Sequence, residues 1–134
     1  MTIIKEEYKY SEITGKIIGC AMRVHAALES GFQEVIYQRA MAIEMADAGL
    51  EFSREHDMPI FFKNHQIGTR RVDFLVEKVV SLEIKAKSNL ENLDLSQGIN
   101  YLEANNLEVG LLINFGARSL QHKRLANSKF KQPI

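Results

Sequence analysis

Glu83 and Lys85 stand two residues apart in Val79-Val80-Ser81-Leu82-Glu83-Ile84-Lys85, a run that is otherwise apolar apart from Ser81. In a strand that spacing sends both side chains out of one face. An acid and a lysine there are costly to bury unless they are paired or bound to a metal. Asp73 lies ten residues before Glu83, on the preceding strand, where a hairpin can set the two carboxylates side by side. Carboxylates forced together repel, and a divalent cation between them relieves the repulsion. Oxygen donors from Asp73 and Glu83, with the backbone carbonyl of Ile84, suit Mg²⁺ or Mn²⁺ and leave positions for waters and a phosphate. Lys85 could then orient or polarise the attacking water, or stabilise charge developing on the phosphate. The plain alternative is an Asp–Lys–Glu ion pair on a solvated sheet face, and spacing alone does not separate the two.

These residues need a scaffold. Ile13, Ile17, Ala21, Val24 and Leu28 recur at three- and four-residue steps, which predicts a first helix with one buried stripe, ended near Gly31. A second helix is expected from about Phe32 to Ala48, burying Phe32, Ile36, Ala40 and Ile43 and stopped at Gly49. Phe52 to Phe62 is β-prone, and Asn64 to Gly68 reads as a turn. Arg71 to Val76 alternates, Glu77-Lys78 makes a tight connection, and Val79 to Lys85 is the next strand, so the pair should form an antiparallel hairpin. A third helix begins near Asp94 or Ser96, either of which could cap it, with Leu95, Ile99 and Leu102 on its apolar face. Val109 to Phe115 is a continuous apolar run of the kind buried on both faces. Ser119 to Leu125 could be an edge strand or a short helix. The order helix, helix, three strands, helix, strand describes an α/β fold with a mixed sheet.

Asp73 followed by Glu83-Ile84-Lys85 on a hairpin resembles the PD-(D/E)XK nuclease superfamily, and Gly31-Phe32-Gln33-Glu34-Val35-Ile36-Tyr37 is similar to the motif of its GxxExxY family. The resemblance runs from about Ile13 to Arg124; Val72 stands where many such nucleases have proline. It implies a restriction-endonuclease-like core and Mg²⁺- or Mn²⁺-dependent cleavage of DNA or RNA. It also makes Glu34, one turn from Tyr37 on the second helix, a third carboxylate or water-mediated ligand. Gln97, expected in the first turn of the third helix, would reach a phosphate or Lys85. Exposed helix residues are the plain alternative for both. Tyr37 either bonds a catalytic acid or packs with its hydroxyl at the sheet edge.

Composition narrows the classes. With 134 residues, one domain is expected; 17 basic and 17 acidic residues give no net charge and no long-range pull on nucleic acid. The balance is uneven, since no acid follows Glu108 while Arg118, Lys123, Arg124, Lys129 and Lys131 do. That stretch is either a phosphate footprint or a solvated tail. No apolar run is long enough for a membrane helix, no signal-peptide pattern opens the chain, and a lone Cys20 can build neither an internal disulfide nor a zinc knuckle. The style is cytoplasmic. His25 reads as a core or boundary histidine, and the remaining histidines lack metal-site spacing. The rival to a nuclease is a nuclease-like module that binds nucleic acid or a protein without turnover; a homodimer with paired sites is a third reading.

Overall fold

The computed structural model describes residues 9–132. Helix α1 (Ser11–Leu28) buries Ile17, Ala21 and Val24, with Ile13 and Leu28 at the margin of the same stripe. Helix α2 (Glu34–Asp47) turns a different face inward from the one expected. Tyr37, Met41 and Met45 are buried, while Phe32 and Ile43 are exposed. This helix is apolar around much of its circumference, so periodicity does not choose a face. The choice falls to Tyr37, whose ring stacks on Phe115 with centroids 4.7 Å apart, and the two methionines follow at four-residue steps.

Among the described residues, five strands form one sheet in the order β1-β2-β3-β4-β5. β1 (Phe52–Phe62) and β2 (His65–Val76) make a long antiparallel hairpin. Its turn is shorter than expected: Lys63 and Asn64 alone make it, both at positive φ, as a two-residue connection of this twist requires. A register shift near Ile60 and Phe61 accommodates Ile67. β3 (Val80–Lys85) pairs antiparallel with β2, the connection taking in Val79 as well as Glu77 and Lys78. α3 (Asn92–Ala104) carries the chain to β4 (Val109–Asn114), which runs parallel to β3 and is buried along its whole length. The ambiguous C-terminal segment is a strand, β5 (Gln121–Ala126), antiparallel to β4 at the sheet edge. Neither Asp94 nor Ser96 is the N-cap of α3. Glu91 is, and Asp94 three residues on completes a reciprocal capping box.

α1 and α2 cover one face of the sheet, against Phe74, Leu82, Ile84, Leu111, Ile113 and Phe115. α3 covers part of the other through a smaller cluster of Leu102, Leu112 and Leu125, edged by Leu95 and Ile99. Asn114, the last residue of β4, ties the chain beyond β3 to it. Its side chain accepts from the Lys87 and Gly116 N–H groups and donates to the Lys87 carbonyl and the Gln121 amide oxygen. Gly116 lies so close to the Ala86–Lys87 backbone that a Cβ there would collide with it.

Candidate active site in the split between two strands

The β2–β3 ladder ends at Phe74 opposite Leu82. One step further, Asp73 comes level with Glu83, and there a side chain takes over the pairing. The Ile84 N–H donates to Asp73 Oδ2 at 2.7 Å. Strand N–H groups point along the sheet towards the neighbouring strand, so this carboxylate sits in the opening between β2 and β3. Gln38 on α2 donates to its other oxygen at 3.2 Å and lies 3.5 Å from Glu34 Oε1. Glu83 shares its register with Leu112 and Lys85 with Asn114, which places both on the α3 side. Glu83 is buried and accepts from Arg70 Nη2 at 2.9 Å.

The electrostatics tie the cluster together. Burial pushes the Asp73 carboxyl above the usual carboxylate range, and the Glu83 charge adds to the rise; the Ile84 N–H and Lys85 oppose it. Partial burial likewise raises the Glu34 carboxyl, helped by Asp73, Glu83 and Asp94 and opposed by Lys85. Lys85 is thus the cation common to both acids. Asp94 goes the other way. Burial alone would raise it, but the Glu91 N–H and Lys87 ammonium outweigh burial and hold its carboxyl below the usual range.

Of the residues singled out in the sequence, Asp73, Glu83, Ile84 and Lys85 meet at the split, and Glu34 borders it through Gln38. Gln97 departs from expectation. It lies in the second turn of α3, half-buried, and makes no hydrogen bond among the described residues. Tyr37 does not reach an acid: its hydroxyl donates to the Glu29 carbonyl at 2.6 Å and accepts from the Phe32 N–H at 3.2 Å, fastening the loop between α1 and α2. His25 is a boundary histidine, 3.2 Å from the Ala117 carbonyl oxygen, and Cys20 is fully buried. Arg124 is engaged elsewhere too. Its guanidinium bonds the Lys9 carbonyl and, at 3.4 Å, the Thr14 hydroxyl, fastening β5 to the start of α1.

Gln38 and Tyr101 escaped sequence reasoning, and so did the pairing of Arg70 with Glu83. Gln38 follows Glu34 by four and so shares its helix face, a signal that was available. Arg70, three residues before Asp73, neutralises Glu83. Tyr101 follows Gln97 by four on α3; its hydroxyl is buried without a hydrogen-bond partner among the described residues, and burial together with the Glu83 charge pushes its pKa up to about 12.

Among the described residues no three His, Cys, Asp or Glu side chains form a ready metal cage. The donors at hand are two carboxylates, Asp73 and Glu83, and the Ile84 carbonyl. An all-oxygen set of this kind fits a hard divalent cation that keeps several waters; burial is the main cause of the raised Asp73 carboxyl, and such a cation would relieve the part that the Glu83 charge adds.

A family model of the PD-(D/E)XK nuclease superfamily matches residues 11–125. The chain belongs to that superfamily. The crystal structure of SSO0001 shares the fold, with a TM-score of 0.54 at 16% identity, covering 90% of this chain and 60% of that one. No curated protein matches the chain in sequence. Among the described residues, no helix of this superfamily member is long and apolar enough to cross a membrane.

Proposed function

We propose that this chain is a single nuclease-like domain of the GxxExxY type that hydrolyses phosphodiester bonds of DNA or RNA with Mg²⁺ or Mn²⁺. The observation that carries the reading is the meeting of Asp73, Glu83 and Lys85 where β2 parts from β3, with the Asp73 carboxyl raised by burial and by Glu83. Asp73, Glu83 and the Ile84 carbonyl would hold the cation, with Glu34 acting directly or through water. Bound there, a divalent cation supplies Lewis-acid polarisation of the phosphate. The Ile84 N–H and the Gln38 amide, one on each oxygen, orient the Asp73 carboxylate. Lys85 orients the attacking water or offsets charge on the phosphate. Gln97, whose side chain has no other partner among the described residues, would contact the phosphate or Lys85.

A second reading has an observation of its own. Arg70 already neutralises Glu83 at 2.9 Å, so the site is partly balanced without a metal, as a nuclease-like module that binds without turnover would need. The two separate in a cleavage screen of single-stranded, double-stranded and branched DNA and RNA, with Mg²⁺, Mn²⁺ or chelator. The nuclease reading expects metal-dependent cleavage that Lys85→Ala abolishes, with Mn²⁺ binding by calorimetry kept in Lys85→Ala and lost in Asp73→Ala. Retarded migration of nucleic acid with no cleavage in any arm would favour the binding module.

A further inference from the structure

The Glu83 side chain is only 8% exposed, and among the described residues a single group bonds it: Arg70, whose Nη2 donates to Oε1 at 2.9 Å. Arg70 reaches it from beyond the end of the β2–β3 ladder, where β2 pairs with β1 alone and Arg70 stands opposite Met58. The ion pair therefore spans the same opening that holds Asp73. A guanidinium offers several N–H donors, yet this is the one hydrogen bond that Arg70 makes through its side chain among the described residues, and 30% of that side chain stays in solvent. Its neighbour Arg71 is committed elsewhere. It spans both oxygens of Asp57 at 2.9 and 3.2 Å and lies 3.6 Å from Glu55.

We propose that Arg70 is a substrate-binding switch: its guanidinium holds Glu83 while the site lacks a divalent cation, and turns to a substrate phosphodiester once the cation takes that carboxylate. Charge supports the exchange. Asp73, Glu83 and Glu34 are set against Arg70 and Lys85, so the cluster is one positive charge short of balance. With a divalent ion added, it has one positive charge in surplus in a partly buried place, and one phosphodiester cancels that surplus. The chemistry of the side chain also fits, because a planar guanidinium with unused donors matches two oxygens of a phosphate at once. A cation and a phosphodiester that both draw on the same guanidinium must tighten each other's binding, and to the same degree. The proposal rests on the nuclease reading for the cation, and goes beyond it in giving Arg70 to the substrate.

Mn²⁺ calorimetry without nucleic acid tests the hold on Glu83. Arg70→Met removes the competing charge and should tighten Mn²⁺ binding by about tenfold. Arg70→Lys, which keeps a cation beside Glu83, and Arg71→Met, whose charge is spent on the arm, should both bind Mn²⁺ as the native protein does. In chelator Arg70→Met should melt below the native protein, because it leaves Glu83 buried and unpaired, and saturating Mn²⁺ should raise its Tm by more. A measurement on the native protein needs no variant: by NMR, the Arg70 guanidinium protons should exchange with water faster once Mg²⁺ is added. Fluorescence anisotropy then tests the turn to phosphate, in Lys85→Ala protein so that no strand is cut, with one oligonucleotide sequence made as DNA and as RNA. Mn²⁺ should tighten binding of one or both strands, the responding strand naming the source, and adding Arg70→Met should shrink that gain by about tenfold. Mn²⁺ affinity unchanged or weaker in Arg70→Met, guanidinium exchange that Mg²⁺ does not quicken, or a Mn²⁺-dependent gain undiminished without Arg70 would each overturn the switch and leave the nuclease reading standing. Mn²⁺ bound by neither the native protein nor Arg70→Met would overturn both.

Discussion

The two faces of the sheet are built on opposite terms. On the α1–α2 face, Phe74, Leu82, Ile84, Leu111 and Ile113 meet Ile17, Ala21, Val24, Met41 and Met45 with almost nothing polar between them. On the α3 face, a small leucine cluster shares the surface with Glu83, Lys85, Asn114 and the Tyr101 hydroxyl. β3 belongs to both, since Leu82 and Ile84 point one way and Glu83 and Lys85 the other. The comparison teaches that one face supplies the stability that lets the other hold charge in a place where charge is unfavourable. Proteins commonly keep such groups where chemistry needs them.

The sharpest way to break this division is to hollow out the apolar face. Phe115→Ala should destabilise the protein by about 3–5 kcal/mol, because the ring stacked on Tyr37 leaves a cavity. Denaturant titration measures it as a lower midpoint. Glu83→Gln, on the other face, should change the midpoint far less. Equal losses would mean that the polar face bears load too.

A smaller effect is expected where α2 joins the apolar face. Tyr37→Phe keeps the ring and deletes the hydroxyl that the Glu29 carbonyl and Phe32 N–H share. The expected loss is about 1–2 kcal/mol, with faster hydrogen exchange at the Phe32 amide. An unchanged exchange rate would mean that the loop between α1 and α2 is held by other contacts.

The smallest effect is the most diagnostic, because its sign differs between two acids. Asp73 is raised in the folded state, so the fold binds its proton more tightly than the unfolded chain does. Its contribution favours folding below the unfolded carboxylate value and is lost as pH rises through the folded one. Asp73→Asn should therefore raise the Tm in chelator at neutral pH, by less than about 4 °C, and the gain should vanish in acid. Asp94 is depressed, so its contribution is present at neutral pH and lost as pH falls through its folded value. Asp94→Asn should lower the Tm at neutral pH. Matching signs in the two variants would contradict the assignment of one acid to a site and the other to a cap.

How much of this was legible in the sequence follows from what each residue has to choose between. The α1 stripe was legible because its apolar residues fall on one side only. The face of α2 was not, because Phe32, Ile36 and Ile43 compete with Tyr37, Met41 and Met45, and only the ring of Phe115 decides. The meeting of Asp73 and Glu83 was legible because a tight connection leaves little freedom in register. Arg70 and Tyr101 were not, since their approach to Glu83 depends on how far β2 diverges from β3 and on how α3 lies, neither of which is written in local spacing. The start of α3 was misplaced by a few residues because a glutamate is a less usual cap than an aspartate or serine.

The amide of Asn114 has a consequence for how the chain can tolerate changes in length. With its bonds to Lys87 and Gln121 it acts as a bolt across the end of the β3–β4 pair, fixing the frame in which β3 is read. Insertions beyond the bolt, at Ser88 or Asn89, lengthen an exposed loop and disturb the Gln121 bonds to Asn89 and Leu90, while Glu83 and Lys85 keep their places. A single residue inserted between Val80 and Glu83 would have no such shelter. It would bring Ile84 to the face now held by Glu83 and turn the acid and the lysine into the apolar core.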